Sequence, residues 1–141
     1  MNRRSFLPLF VLLPLVFTTI GCSNDDNNTP TAPTTPTPPT TIVFAETIAR
    51  NGARTHNFTT QSSGQVTATL TTLSPDSALV VGFALGTWNG TSCQQVLVKD
   101  DATQGTVLLG GVSSFGSLCV RVYDVGNVTE PINYEITVVH P

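Results

Sequence analysis

Leu79-Val80-Val81-Gly82-Phe83-Ala84-Leu85-Gly86-Thr87-Trp88-Asn89-Gly90-Thr91-Ser92-Cys93-Gln94-Gln95-Val96-Leu97-Val98-Lys99 reads as two strands joined by a tight turn. Asn-Gly suits a two-residue hairpin because both positions accept positive φ. Closing the hairpin at Asn89-Gly90 pairs Trp88 with Thr91, Gly86 with Cys93, Phe83 with Val96 and Val81 with Val98. One face then carries Leu79, Val81, Phe83 and Leu85 against Val96 and Val98, the expected core face. The other carries Gly82, Ala84, Gly86 and Trp88 with Cys93, Gln95 and Leu97, small and mixed as an outer face should be.

Strand signals continue on both sides of this pair, with turn residues between them. They predict strands near residues 42–49, 55–59, 65–73, 79–87, 92–99, 106–109, 118–124 and 134–140. In the last two, Leu118, Val120 and Val122 alternate with Cys119, Arg121 and Tyr123, and Tyr134, Ile136 and Val138 alternate with Glu135, Thr137 and Val139. The composition agrees: the chain is rich in Thr, Val, Gly and Ser, and only 11% of it is charged. That favours strands and turns over helices. A domain over residues 42–141 is large enough for one modest core.

The chain begins Met1-Asn2-Arg3-Arg4-Ser5-Phe6-Leu7 and runs without a charge to Ile20, a basic head and an apolar segment of signal-peptide type over residues 1–21. Asn2-Arg3-Arg4-Ser5-Phe6-Leu7 is similar to the twin-arginine export motif, and an ordinary secretion leader with two arginines is the alternative. Thr19-Ile20-Gly21-Cys22 resembles the bacterial lipobox, which makes Cys22 the expected lipid attachment site; durable membrane anchoring follows from several acyl chains on one residue. Residues 22–41 form an expected linker whose Thr29–Thr41 part contains only Thr, Pro and one Ala. Proline biases such a stretch toward polyproline II, giving a disordered Thr/Pro tether of roughly 50–60 Å reach. The expected location is the cell envelope, at the outer membrane if the source has one.

With Cys22 assigned to lipid, Cys93 and Cys119 remain as an even pair in an exported domain, the arithmetic of one disulfide. Both lie off the apolar face of their own strands, so the bond is geometrically reasonable if those strands are neighbours. Cys22 to Pro141 holds 4 basic and 9 acidic residues, so its net charge is 4 − 9 = −5. Arg50, Arg54, Lys99 and Arg121 are scattered, which argues against nucleic acid and against a polybasic membrane patch.

Catalytic chemistry finds no foothold. His56 lies in a predicted strand and His140 is penultimate, with no metal pair at helical spacing. Gly111-Val112-Ser113-Ser114-Phe115 begins like a nucleophile elbow but lacks the closing glycine, and reads as a Gly/Ser loop. Asp100 and Asp101, with Asp76 or Asp124, could offer oxygens to calcium; the plainer reading is a solvated acidic turn. No cofactor or metal is expected. Trp88, off the core face, is the candidate ligand-binding residue: either a stacking platform or a ring packed over Cys93.

Gly116-Ser117-Leu118-Cys119-Val120-Arg121-Val122-Tyr123-Asp124, followed by Tyr134-Glu135-Ile136-Thr137-Val138, resembles the bacterial pre-peptidase C-terminal domain. Thr55-His56-Asn57-Phe58 and Gly64-Gln65-Val66-Thr67-Ala68-Thr69-Leu70 are similar to its aromatic strand and the Gly-led strand that follows. The resemblance implies a compact β-sandwich of jelly-roll type. In that family the domain usually accompanies secreted peptidases, and some members bind polymers. The expected function is thus a non-catalytic, envelope-anchored binding or accessory module for carbohydrate, polymer or a protein partner. A structural envelope lipoprotein with no soluble ligand is the alternative, and an enzyme a distant third.

Overall fold

A computed structural model describes residues 38–141. The signal segment, Cys22 and most of the expected tether lie outside the described residues. Eight strands follow one another: β1 (Thr40–Ile48), β2 (Ala53–Thr60), β3 (Gly64–Ser74), β4 (Val81–Trp88), β5 (Cys93–Ala102), β6 (Val107–Val112), β7 (Gly116–Tyr123) and β8 (Ile132–His140). β1 takes in the last two residues of the expected linker, because Thr40 and Thr41 pair with His140 and Val139 of β8 and β-branched threonine suits a strand.

The strands form two four-stranded sheets, β1-β8-β3-β6 and β2-β7-β4-β5, with antiparallel pairing throughout. The chain changes sheet at every connection except β4–β5, the hairpin quoted at the outset. This is the jelly-roll sandwich, with one core between two inner faces.

The core follows from period-two alternation. Val66, Ala68 and Leu70 of β3 point inward with Tyr134, Ile136 and Val138 of β8, and meet Phe58, Val81, Phe83, Leu85, Val120 and Val122 from the second sheet. A bulge between Leu70 and Thr72 lets β3 bury Leu73 as well.

β4 is buried on both sides from Val81 to Gly86. Its outer face bears only Gly82, Ala84 and Gly86, and neighbouring strands fold over it. A Cβ at Gly82 would fall inside the Tyr123 ring, and one at Gly86 would overlap the Gln94 carbonyl, whose carbon stands 2.7 Å away. Position 86 therefore requires glycine for the close approach of main chain, whereas a side chain at position 82 would have to displace the Tyr123 ring.

The hairpin register differs from expectation. Trp88 pairs with Cys93, Gly86 with Gln95, Leu85 with Leu97, Ala84 with Val98 and Phe83 with Lys99. The turn spans four residues, because Asn89 Oδ1 accepts the N–H groups of Thr91 at 2.9 Å and Ser92 at 2.8 Å, an Asx turn that lengthens the connection. Shifting a turn by two residues leaves faces unchanged; the irregularity at Val96, between the Leu85 and Gly86 pairings, is what inverts them. Val96 and Val98, expected in the core, are 68% and 49% exposed, and Leu97 packs inward in their place.

Candidate functional site

The disulfide Cys93–Cys119 joins β5 to β7 across β4, with Cα atoms 5.8 Å apart. Cys119 pairs with Gly86, so the bond passes over that glycine, where the start of β5 lies on β4. The two cysteines share the outer face of the second sheet, but their strands are not the neighbours expected: β4 lies between them and the bond spans it.

Trp88 stands directly opposite Cys93 on this face and is half-buried. Further along lie Arg121, opposite Ala84, and Tyr123, opposite Gly82. The Arg121 guanidinium carbon is 5.8 Å from the Tyr123 ring centre, and its Nε is buried without a hydrogen-bond partner. The Tyr123 hydroxyl donates to Asp100 Oδ1 across β4. Burial first, and then the Asp100 hydrogen bond and charge, push the phenol up to about 12, so it is a neutral donor at any physiological pH. Along β4 the positions of Gly82 and Trp88 are roughly 20 Å apart at about 3.3 Å per residue, so Tyr123 and Trp88 stand at the two ends of a stretch in which the Tyr123 ring covers Gly82 and the Gln94–Gln95 main chain covers Gly86.

The acidic residues are drawn apart. Asp100 and Asp101 lie within β5 rather than in a turn, because the strand extends to Ala102 opposite Val81. Asp100 faces Tyr123, whereas Asp101 pairs with Lys99 at 3.0 Å. Asp76 accepts from the Ala78 N–H. Asp124 accepts from Gly126, Asn127 and Val128 through Oδ1 and from Asn51 through Oδ2. Desolvation raises its pKa, but those four backbone donors outweigh it and hold the carboxyl below its ordinary value. Among the described residues no group of three His, Cys, Asp or Glu side chains converges to hold a metal.

His56 belongs to a cluster that the sequence reading did not assemble. Its ring stacks on Phe44 of β1, with centroids 4.7 Å apart. Nε2 lies 2.7 Å from the Tyr134 hydroxyl and 3.9 Å from Glu46 Oε2. Arg54 donates to the same carboxylate at 2.6 Å. Two strands of the first sheet and one of the second are thereby tied together, and Tyr134 is only 2% exposed, which places its hydroxyl out of reach of a substrate. The other histidine, His140, is buried beside Phe58.

Burial lowers the His56 pKa below 6.5; Glu46 opposes this and Arg54 adds to it. The unfolded chain therefore takes up this proton first as pH falls. Stability should decline from about pH 6.5 toward the folded-state pKa, by at most about 1.4 kcal/mol per pH unit for one proton, and show no slope from this group above about pH 7. Urea midpoints between pH 7 and pH 5 should fall less steeply in His56→Gln than in the unsubstituted chain. Equal slopes would remove His56 as the source.

On the opposite side of the sandwich, β5, β6 and the 113–115 loop surround a cleft of about 480 Å³, lined by Leu85, Val96, Leu97, Leu109, Gly110 and Phe115 among others, with no charged residue in its wall. Ser113 and Ser114, from the elbow-like run, sit on this wall with neither histidine. The fold and this surface define an all-β, jelly-roll sandwich with one cross-strand disulfide. The chain matches no protein-family model and no curated protein.

Proposed function

We propose that this chain is a non-catalytic lipoprotein of the bacterial envelope, held through Cys22, whose sandwich is a binding module for a neutral extended polymer, a glycan first. The carrying observation is that Trp88, Arg121 and Tyr123, each half-buried, share the outer face of the second sheet. Aromatic rings with polar neighbours on one sheet face suit stacking against sugar rings. The domain's acidity disfavours anionic polymers. The likeness to the pre-peptidase C-terminal domain belongs to this proposal and rests on the strand pattern alone.

Trp88→Ala should reduce retention on an insoluble neutral polysaccharide by about tenfold, corresponding to roughly 1–1.5 kcal/mol of stacking, while the fold persists. If the ring instead shields Cys93, the same substitution should lower the melting temperature and leave retention unchanged, which would remove Trp88 as a binding residue.

The anchor is tested separately. Cys22→Ala should move the protein from the membrane to the soluble fraction or stall its processing. Unchanged fractionation with an unmodified mature N-terminus would rule lipid attachment out.

A further inference from the structure

Each sheet of the sandwich ends in two edge strands: β1 and β6 in the first, β2 and β5 in the second. Three of the four carry charge. Glu46 lies on β1, Arg54 on β2, and Lys99, Asp100 and Asp101 on β5. Charged side chains on an edge oppose pairing with another chain. β6, Val107-Leu108-Leu109-Gly110-Gly111-Val112, carries none, and no charged residue occurs between Ala102 and Val120. Its outward side chains Val107 and Leu109 are 47% and 57% exposed.

We propose that β6 is an association edge that pairs antiparallel with β6 of a second copy of this chain, about a two-fold axis at Leu109, joining the two first sheets into one of eight strands.

Side-chain size selects this partner. Directly opposed residues of an antiparallel pair share a face. Centring the axis on Leu109 sets Leu108 against Gly110 and Val107 against Gly111. Val107 and Leu108 thus each meet a glycine, Val112 falls opposite Thr106 just outside the strand, and the large pair at the centre is Leu109 with its symmetry mate. The parities agree: Leu108 and Gly110 face inward, and Val107, Leu109 and Gly111 outward. The interface is isologous and closes on itself.

Charge points the same way. Residues 42–141 hold 4 basic and 7 acidic side chains, a net charge of 4 − 7 = −3. Two acidic copies repel least where the strands they bring together are uncharged. The pairing also covers the rim of the neutral cleft, where Phe115 and Val96 are 64% and 68% exposed.

The test is made on the full chain, purified in mild detergent. Leu109→Cys should give a disulfide-linked homodimer under mild oxidation, with the Cys93–Cys119 bond intact by peptide mapping. Val43→Cys, on the β1 edge and 54% exposed, should not. Adding Val107→Lys to the Leu109→Cys chain should suppress the crosslink, because it places a like charge on each of two edges that are otherwise uncharged. Sedimentation equilibrium should give twice the protein mass for the unsubstituted chain and a monomer for Leu109→Lys. Equal crosslinking at Leu109 and Val43, a monomeric unsubstituted chain, or a dimer that survives Leu109→Lys would overturn the proposal. So would capture of a different protein at Leu109.

Discussion

Gly86→Val should lower the stability of the domain by about 3 kcal/mol or more, at the upper end of overpacking costs, and lower the melting temperature of a domain of this size by about 12 °C or more. Position 86 is buried and its outer side is occupied by main chain. The atoms that an added Cβ meets are the carbonyl of Gln94 and the Cα of Gln95. A flexible side chain could swing away from the intruding methyls, whereas a paired strand cannot. β5 must lift off β4 against the Cys93–Cys119 bond that tethers it, which exposes the apolar side of Leu97. The substitution should therefore show twice, as a lower midpoint in denaturant and as faster amide exchange along β5. A Gly86→Val chain with an unchanged midpoint and unchanged exchange along β5 would show that β5 does not lie across β4 at this point.

The same crossing shows where sequence reasoning reached its limit. All eight strands were legible, because alternation such as Val66, Ala68 and Leu70 against Thr67 and Thr69 depends only on period two. The Cys93–Cys119 bond was also legible, from the even pair left once Cys22 is set aside, although the strands it joins flank β4 instead of neighbouring each other. What escaped was the irregularity at Val96. Val-Leu-Val alternates equally well in either phase, and the choice is made by one unpaired residue, which leaves no periodic signal. Glycine at 82 and 86 marked an outer face of β4, but the sequence could not say that Tyr123 and Gln94 cover it.

The site was legible in part for a related reason. Trp88 was found because one local hairpin places it on the outer face. Tyr123 reaches the same face from β7, and its partner Asp100 comes from β5. The His56 cluster draws on β1, β2 and β8, which meet only once the jelly roll has closed. Residues brought together by long-range pairing share no spacing along the chain.

Replacing both Cys93 and Cys119 by alanine should cost about 3 kcal/mol, since the bond closes a loop with a sequence separation of 26 residues and its main effect is to restrict the unfolded chain. That is a large share of the roughly 5–15 kcal/mol available to a small domain. In the unsubstituted protein, alkylation without reduction should label neither residue; two labelled cysteines, or an unshifted midpoint in the double variant, would contradict a structural disulfide. The loop contains most of β5 and all of β6, so loosening it should also free the wall of the neutral cleft, visible as faster amide exchange from Val107 to Val112. Combining the double alanine variant with Gly86→Val separates two roles of the bond. If the disulfide holds β5 down over Gly86, the valine should cost less once the bond is gone, because β5 is then free to lift. If the bond acts only through the unfolded chain, the two penalties should add within about 0.5 kcal/mol. Strand crossing and covalent link share one position, so the non-additive result is the expected one.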